Sequence, residues 1–396
     1  DVLGVRALRR EAPEEFADVF DDKRYARAQE YKRVTTWFGQ VAGTVSLMGL
    51  FGFWWLGGFA VLDRAARGLT SVPVFQGLVF VGGLLILRKV FSLPFGLYGT
   101  FVIEDRFGFN RTDFRTYWLD QAKAAGLAVV LGAPVLALVI WFFRAAGPWA
   151  WVTCWGAVTL ISLLLQYVAP RWILPLFNRF RPLEEGELRT AILRLADKAG
   201  FPVAGIYVID GSRRTTKANA FFTGFGREKR IALYDNLIEE QNTEEITAVL
   251  AHEIGHWRKR HIHLSVLLGV VHTGVLFYLL SIFLRHEGLF RAFFVPEPSV
   301  YAGLVFFGLL YSPVALVLSF GIHALSRRHE FQADRYAAGL KADPESLVSA
   351  LKKLAARNLA DLTPHPLEVW LHYSHPPLLQ RVRRLRNARS SDTRSS

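Results

Sequence analysis

Six long apolar runs constrain the fold of this chain more than any other feature of its sequence. They cover residues 34–62, 73–98, 124–143, 149–170, 262–284 and 299–325. About 20 helical residues cross the roughly 30 Å hydrocarbon core of a bilayer, and each run supplies that length. Arg88 and Lys89 interrupt the second run, so its core is predicted at 74–87, in a span that is tilted or continues into the next segment. A mainly α, multi-pass membrane protein is predicted over a large soluble protein with buried helices.

The basic residues predict how these spans are oriented. If all six runs cross, the short connections near 63–72, 144–148 and 285–298 share one side and hold only five of the 47 Lys and Arg residues. Cytoplasmic loops carry the excess of positive charge, so the opposite side is predicted to be cytoplasmic. The net charge of +13 is thereby explained without a nucleic acid partner. The Arg-rich composition suits a bacterium, which predicts location in a bacterial inner membrane.

The polar segments define the remaining regions. The predicted regions are an N-terminal cytoplasmic helical segment (1–33), spans one to four with a cytoplasmic loop near 88–123 (34–170), an α+β catalytic segment (171–261), spans five and six (262–325), a C-terminal helical segment (326–388) and a disordered tail (389–396). Within the α+β segment we predict a helix at 183–200, a strand at 205–210, strands at 218–225 and 230–235 joined near Gly226, and a helix starting at Asn242 or Thr243. The single cysteine, Cys154, excludes an intrachain disulfide and a cysteine-based zinc site.

The sharpest chemical signal is the pentad 252–256, HEIGH, near the end of the predicted catalytic helix. The i, i+4 spacing places His252 and His256 on one helix face, where two imidazoles can bind one ion. Glu253 is then placed to act as general base on the attacking water. Zinc suits this set because it accepts imidazole and carboxylate ligands and activates water near neutral pH. One Zn²⁺ per chain is predicted.

Two histidines leave a third protein ligand to be found, and the segment 326–334 offers one. Glu330 can bind zinc, and Asp334, one helical turn later, can accept the second N–H of a ligand histidine. Considered alone, Glu330 would form a salt bridge with the neighbouring Arg327 or Arg328. Its combination with the pentad favours the metal site instead.

At these residues the sequence resembles the type I CAAX prenyl endopeptidase family of integral-membrane zinc proteases. The resemblance covers nearly the whole chain and is carried, besides the pentad, by 93–94 (LP), 100–110 (TFVIEDRFGFN), 169–170 (AP), 175–178 (PLFN), 211–214 (GSRR), 219–222 (NAFF), 229–231 (KRI), 326–334 (SRRHEFQAD) and 373–378 (YSHPPL). It implies an α-helical membrane barrel around a large chamber, with a small α+β, gluzincin-like zinc-protease region at its cytoplasmic end. The family has seven spans, so we expect the seventh to precede residue 1. His329 departs from the aromatic or apolar residue that is usual in the family.

The resemblance also extends the predicted site beyond the metal ligands. Asn219 and Ala220 fall on a predicted edge strand, where backbone groups can pair with an extended peptide substrate. The alternative is an ordinary hairpin. His375 is predicted to donate a hydrogen bond to the oxyanion of the tetrahedral intermediate. Its alternative role is that of a residue preceding the N-terminus of a helix, ahead of Pro376 and Pro377.

These features together predict a zinc-dependent membrane endopeptidase that cleaves near the C-terminus of isoprenylated, CAAX-type substrates. A membrane quality-control protease acting on unprenylated peptides is the first alternative. A non-enzymatic lipid or transport chamber with a structural metal is the second, although structural zinc sites normally have four protein ligands. Membrane lipids are expected partners, and anionic headgroups are the predicted partners of a basic run at Arg381, Arg383, Arg384 and Arg386. The remaining histidines, including His263, are predicted to be structural.

Overall fold

The computed structural model of this chain is mostly helical and describes residues 2–9, 11–217, 220–223, 229–341 and 343–392. The first helices are α1 (Val2–Arg6), α2 (Asp22–Trp55), α3 (Gly58–Leu69), α4 (Pro73–Tyr98), α5 (Phe114–Leu127), α6 (Ala133–Ala145), α7 (Ala150–Val168) and α8 (Leu174–Phe177). The α+β segment contains β1 (Phe180–Pro182), α9 (Glu187–Ala199), β2 (Val203–Ile209), β3 (Ala220–Thr223), β4 (Lys229–Tyr234), α10 (Asp235–Glu240) and α11 (Thr243–Arg258). The chain continues with α12 (His261–Phe283), α13 (Glu287–Ala292), α14 (Val300–Lys341), α15 (Glu345–Arg357), α16 (Pro366–His372) and α17 (Leu378–Asp392).

Five continuous helical stretches in the described part of the chain are long and apolar enough to cross a membrane. They are Pro73–Glu104, Phe114–Ala145, Gly147–Phe177, His261–Phe283 and Val300–Lys341. The first three each contain a short π-helical segment, at Gly99–Glu104, Ala128–Gly132 and Ala169–Ile173. The stretch that contains Arg88 and Lys89 continues beyond Tyr98, as the sequence anticipated. Only 6–17% of the most apolar window of each stretch is buried inside the protein.

The first predicted run, 34–62, is not one straight helix. Helix α2 ends at Trp55, and α3 starts at Gly58 with its axis bent by 62°. Gly57, with φ of +73°, lies in the left-handed region at the break. Glycine adopts this conformation without the Cβ clash that other residues meet, so the sequence permits a sharp turn there. The described part of the chain therefore has six candidate crossings when this bent helix pair is counted as one span.

The α+β segment contains one four-stranded sheet with strand order β1-β2-β4-β3. Strands β2 and β4 are parallel, whereas β1 and β3 pair antiparallel with their neighbours. Ala220 lies opposite Leu233 in the last pair, which places β3 at an edge of the sheet as described. Buried apolar side chains of the sheet, α9, α11, α15 and α17 form one core with the first turns of α2. This core supports the helix that carries the pentad.

Two predicted boundaries in the polar regions need adjustment. The helix predicted at 183–200 begins at Glu187 and ends at Ala199, where Gly200 with φ of +61° provides the left-handed cap. The tail predicted from residue 389 starts too early, because α17 remains helical to Asp392. The turn predicted near Gly226 lies outside the described residues.

Candidate active site

Helix α11 presents the pentad with a well-defined start and a close helix neighbour. Asn242 caps the helix, and its side chain and that of Glu245 each hydrogen bond to the other residue's backbone N–H. Gly255 faces α14, where a Cβ atom would lie 3.0 Å from the Cα atom of Ala333. A glycine between the two pentad histidines therefore lets α11 approach the helix that carries Glu330.

The three predicted ligands meet at one point. The Nε2 atoms of His252 and His256 are 3.2 Å apart. Glu330 places Oε2 3.4 Å from His252 Nε2 and Oε1 3.3 Å from His256 Nε2. Zinc bond lengths of about 2.0–2.2 Å in a tetrahedron place ligand atoms about 3.3–3.6 Å apart. One ligand atom from each of the three residues lies within 4.8 Å of the other two, so the cluster can hold a metal ion through three protein ligands.

The electrostatics of the cluster also fit a cation. Oxygen Oε2 of Glu330 is buried, and His252 Nε2 and Arg381 Nη1 each lie 3.4 Å from it, too far for a short hydrogen bond. Burial by itself lowers the pKa of His252, but hydrogen bonds with Asp334 and Glu330 raise that pKa to about 8. The carboxylates thus favour positive charge at the point where the ligand atoms meet.

Each ligand histidine has a hydrogen-bond partner on its other ring nitrogen. Asp334 Oδ1 is 2.9 Å from His252 Nδ1, as predicted from the spacing of Glu330 and Asp334. A carboxylate there keeps the proton on Nδ1 and directs the Nε2 lone pair towards the metal. Asp334 is in turn bound by Arg381 through hydrogen bonds of 2.6 and 2.9 Å.

His256 has a neutral partner, which the sequence did not predict. Its Nδ1 is 3.1 Å from Nδ1 of His261, whose Nε2 is 2.8 Å from Oε1 of Gln332. Because an amide oxygen only accepts, His261 carries its proton on Nε2 and accepts from His256 with Nδ1. Arg260, with φ of +58°, turns the chain between α11 and α12 so that His261 faces back towards His256. The His256 tautomer is thereby the one that a metal ligand needs.

His329 completes this histidine cluster. Its ring stacks on His261 with centroids 3.9 Å apart and an interplanar angle of 6°. The histidine at this position, where the family usually has an aromatic or apolar residue, therefore still places a flat ring against His261.

A cavity of about 680 Å³ opens beside the ligand atoms. Glu253, His256, Glu330 and His375 line it together with polar side chains of α7 and α12, so the predicted base and oxyanion donor share one space with the ligands. His375 is largely exposed, and its Nε2 is 3.4 Å from Glu330 Oε1. Ser374 Oγ lies 2.9 Å from His375 Nδ1. When that hydroxyl donates, the ring proton resides on Nε2, as an oxyanion donor requires.

The predicted peptide-binding strand is partly described. Ala220 begins β3 at the edge of the sheet, and β3 contacts α11. Asn219 lies outside the described residues. Pairing of β3 with a substrate stays a prediction.

Arg381 is the residue whose role the sequence misassigned. It was grouped with a basic run expected to contact lipid headgroups, yet it is only 6% exposed and binds Asp334. The rest of that run also has partners within the protein, since Arg383 pairs with Glu15, Arg386 pairs with Glu345, and Arg384 lies over the ring of Phe331. The spacing of Arg381 to Leu378 and Leu385, three and four residues away on α17, is a sequence signal that could have suggested its burial.

Comparisons with known proteins match this architecture. Residues 4–179 match the family description "CAAX prenyl protease N-terminal, five membrane helices", and residues 182–389 match "Peptidase family M48". The chain belongs to peptidase family M48. It is accordingly a multi-pass membrane metalloendopeptidase, and the recognised resemblance is confirmed.

Individual relatives are similar over almost their whole length. The CAAX prenyl protease 1 homolog of Arabidopsis thaliana is 34% identical, with 94% of this chain and 89% of the relative covered. CAAX prenyl protease 1 of Saccharomyces cerevisiae is 34% identical, with 93% and 87% covered. The crystal structure of S. mikatae Ste24p superposes with a TM-score of 0.92 at 32% identity, covering 97% of this chain and 94% of that one. The predicted fold class, a helical membrane barrel around a chamber with a small α+β region, is confirmed.

Proposed function

We propose that this metalloendopeptidase uses one zinc ion and cleaves prenylated, CAAX-type substrates near their C-terminus. The observation that carries the proposal is the convergence of His252, His256 and Glu330, whose ligand atoms lie within 4.8 Å of one another next to the cavity that Glu253 lines. His252, His256 and Glu330 would hold the ion. When bound, it supplies Lewis-acid polarisation of the scissile carbonyl and of water.

The remaining roles belong to side chains around that point. Glu253 removes a proton from the attacking water and delivers it to the leaving amine. His375 donates from Nε2 to the oxygen of the former carbonyl as negative charge develops there. Asn219 and Ala220 hold the substrate backbone in an extended form against the edge of the sheet. Asp334 and His261 fix the ring orientations of the two ligand histidines.

The substrate class rests on the relatives. Proteins named CAAX prenyl protease 1 from plant and yeast share a third of their residues with this chain along nearly its full length. The positive-inside distribution supports a catalytic segment that faces the cytoplasm, and the Arg-rich composition supports a bacterial inner membrane.

The test compares wild type, Glu253→Gln and Glu239→Gln in detergent, with zinc content measured on each sample. Glu239→Gln is the matched control, because it makes the same substitution at an exposed residue of α10. One farnesylated peptide and its unprenylated twin serve as substrates. We expect about one zinc per chain in all three proteins and loss of cleavage only in Glu253→Gln.

The two peptides distinguish between the two proposed substrate classes. A higher kcat/KM for the farnesylated peptide supports the CAAX-type substrate, whereas equal rates favour quality control of unprenylated peptides. Retained cleavage by Glu253→Gln would refute the assignment of the base. Zinc without cleavage of either peptide would favour the non-enzymatic chamber.

A further inference from the structure

A second concave site lies in the polar part of the protein and has no role in the proposed reaction. It is a cleft of about 650 Å³ between the first turns of α2, the loop that precedes α5, and α15. Six cationic side chains line it, namely Lys23, Arg24, Arg27, Arg111, Lys353 and Arg357. Only two carboxylates, those of Asp21 and Glu240, line the same cleft. None of the metal-binding residues belongs to it.

The two carboxylates of the cleft are already engaged. Asp21 accepts a hydrogen bond from the backbone N–H of Arg24 as the cap of α2. Glu240 pairs with Arg357 at 2.8 Å. Lys353 is paired as well, with Glu245 of the catalytic helix at 2.7 Å. Among the described residues, Asp21 is therefore the one carboxylate of the cleft whose charge is not paired with a cation.

Four cations therefore face the cleft without a carboxylate partner among the described residues. Arg24 donates to the carbonyl oxygen of Val19, which carries no charge. Lys23, Arg27 and Arg111 make no side-chain hydrogen bond or ion pair in the described part of the chain. Arg27 Nη2 lies 3.7 Å from the position that a Cβ atom of Gly108 would take, so this guanidinium reaches the loop that leads to Arg111.

The cleft carries an excess of positive charge on exposed side chains. Lys23 and Arg27 are an i, i+4 pair of like charge on one helix face, and such pairs repel. Lys23 also lies in the first turn of α2, where the helix dipole favours negative charge. A concave surface with one sign of charge concentrates the field and attracts counter-ions of the opposite sign.

We propose that this cleft binds a phosphomonoester group. A phosphomonoester carries close to two negative charges and several acceptor oxygens, which match guanidinium and ammonium donors that converge from two elements. The cleft also has a partly apolar lining at Phe107, Phe109 and Leu359, which can cover the uncharged part of a phosphorylated molecule. The phosphate could belong to a lipid headgroup or to a soluble metabolite.

The position of the cleft relative to the membrane is compatible with a phosphate from a lipid headgroup or from a soluble metabolite. The apolar run of α2 begins near residue 34, seven residues after Arg27. At 1.5 Å of rise per residue this is about 10 Å along the helix, near the outer edge of the headgroup layer. The test must therefore compare the same phosphate with and without acyl chains.

The experiment measures binding to the full chain in detergent by thermophoresis. The probes are dioctanoyl phosphatidic acid, glycerol 3-phosphate as the same headgroup without acyl chains, and dioctanoyl phosphatidylcholine as a lipid without a phosphomonoester. The variant is Arg27→Gln/Arg111→Gln. The control is Arg179→Gln/Arg194→Gln, which removes the same two charges from exposed residues outside the cleft.

We expect saturable binding of a phosphomonoester to wild type and control, a Kd at least tenfold weaker in the cleft variant, and weakening with added salt. Binding of phosphatidic acid alone assigns the site to a lipid headgroup, and comparable binding of glycerol 3-phosphate assigns it to a soluble phosphate. Equal affinities of the two double variants, or equal binding of phosphatidylcholine, would overturn the proposal. So would the absence of binding to wild type. Equal zinc content and melting temperature show that the variants fold, and peptide cleavage is not part of the readout.

Discussion

Replacing Arg381 with methionine should destabilise the protein far more than any other change in its basic run. Arg381 is 6% exposed and Asp334 is 4% exposed, and two hydrogen bonds of 2.6 and 2.9 Å join them. Burial alone lowers the pKa of Arg381, but the neighbouring carboxylates raise it above its ordinary value, so the residue stays charged. Methionine retains much of the side-chain volume and removes the charge.

The expected loss of stability follows from the charge that remains on Asp334 after Arg381 is replaced. Removing one partner of a buried pair leaves an uncompensated charge and costs about 3–5 kcal/mol. Arg384→Met is the matched control on the same helix, since Arg384 is exposed and lies 3.7 Å from the Phe331 ring centroid. An exposed cation–π contact contributes about 0.5–1 kcal/mol. The two variants should therefore differ by a factor of at least three in lost stability.

The assay is reversible denaturant unfolding in mixed micelles with a chelator present, so that zinc binding does not contribute to the stability. Adding Asp334→Asn to Arg381→Met should restore part of the loss, because the amide removes the unpaired charge. A loss no greater than that of Arg384→Met would refute the reasoning. So would strictly additive effects of Arg381→Met and Asp334→Asn, since contacting partners should show coupling.

Three further substitutions test separate parts of the structure. His375→Ala should lower kcat by about 10²–10³-fold with little change in zinc content, whereas full kcat would support a purely structural residue. His261→Ala should weaken zinc binding by about 10–100-fold in a chelator competition. His329→Phe keeps a flat ring on His261 and should leave the zinc affinity unchanged. Equal zinc affinities for wild type and both variants would contradict the proposed role of His261 in fixing the His256 tautomer. Burial lowers the pKa of Lys229 from 10.5 to about 8, so the unfolded chain binds more protons between those values and stability should rise with pH across them. Lys229→Met should abolish that rise in a pH series of unfolding curves, and an unchanged slope would contradict it.

The extent of agreement between sequence and structure depends on how local each feature is. The pairing of His252 with His256 depends only on the 3.6-residue helical repeat, which the sequence predicts reliably once the helix is recognised. The relation of Glu330 to Asp334 is of the same kind. In the structure the first pair and Glu330 bring their ligand atoms within 4.8 Å of one another, and Asp334 contacts His252 Nδ1 at 2.9 Å.

Other features depend on how distant segments meet. Arg381 is 47 residues from Asp334, and nothing in the charge pattern of 381–386 distinguishes the buried guanidinium from its exposed neighbours. His261 is five residues from His256, yet its contact depends on the left-handed conformation of Arg260. The basic cleft draws its charges from α2, α15 and the loop before α5, which are far apart in the sequence.

The sequence by itself predicted the class of the protein and its apolar spans, and it singled out the candidate metal ligands and the proposed general base. The spans depend on mean hydropathy over about 20 consecutive residues, and the site residues depend on helical spacing over four residues. Both are local properties of the sequence. Only the tertiary structure decided where the first span bends, which partners orient the ligand histidines, and which cations are left unpaired. Those outcomes depend on the relative placement of elements, because a side chain's partner is set by the elements that pack beside it and not by its neighbours along the chain.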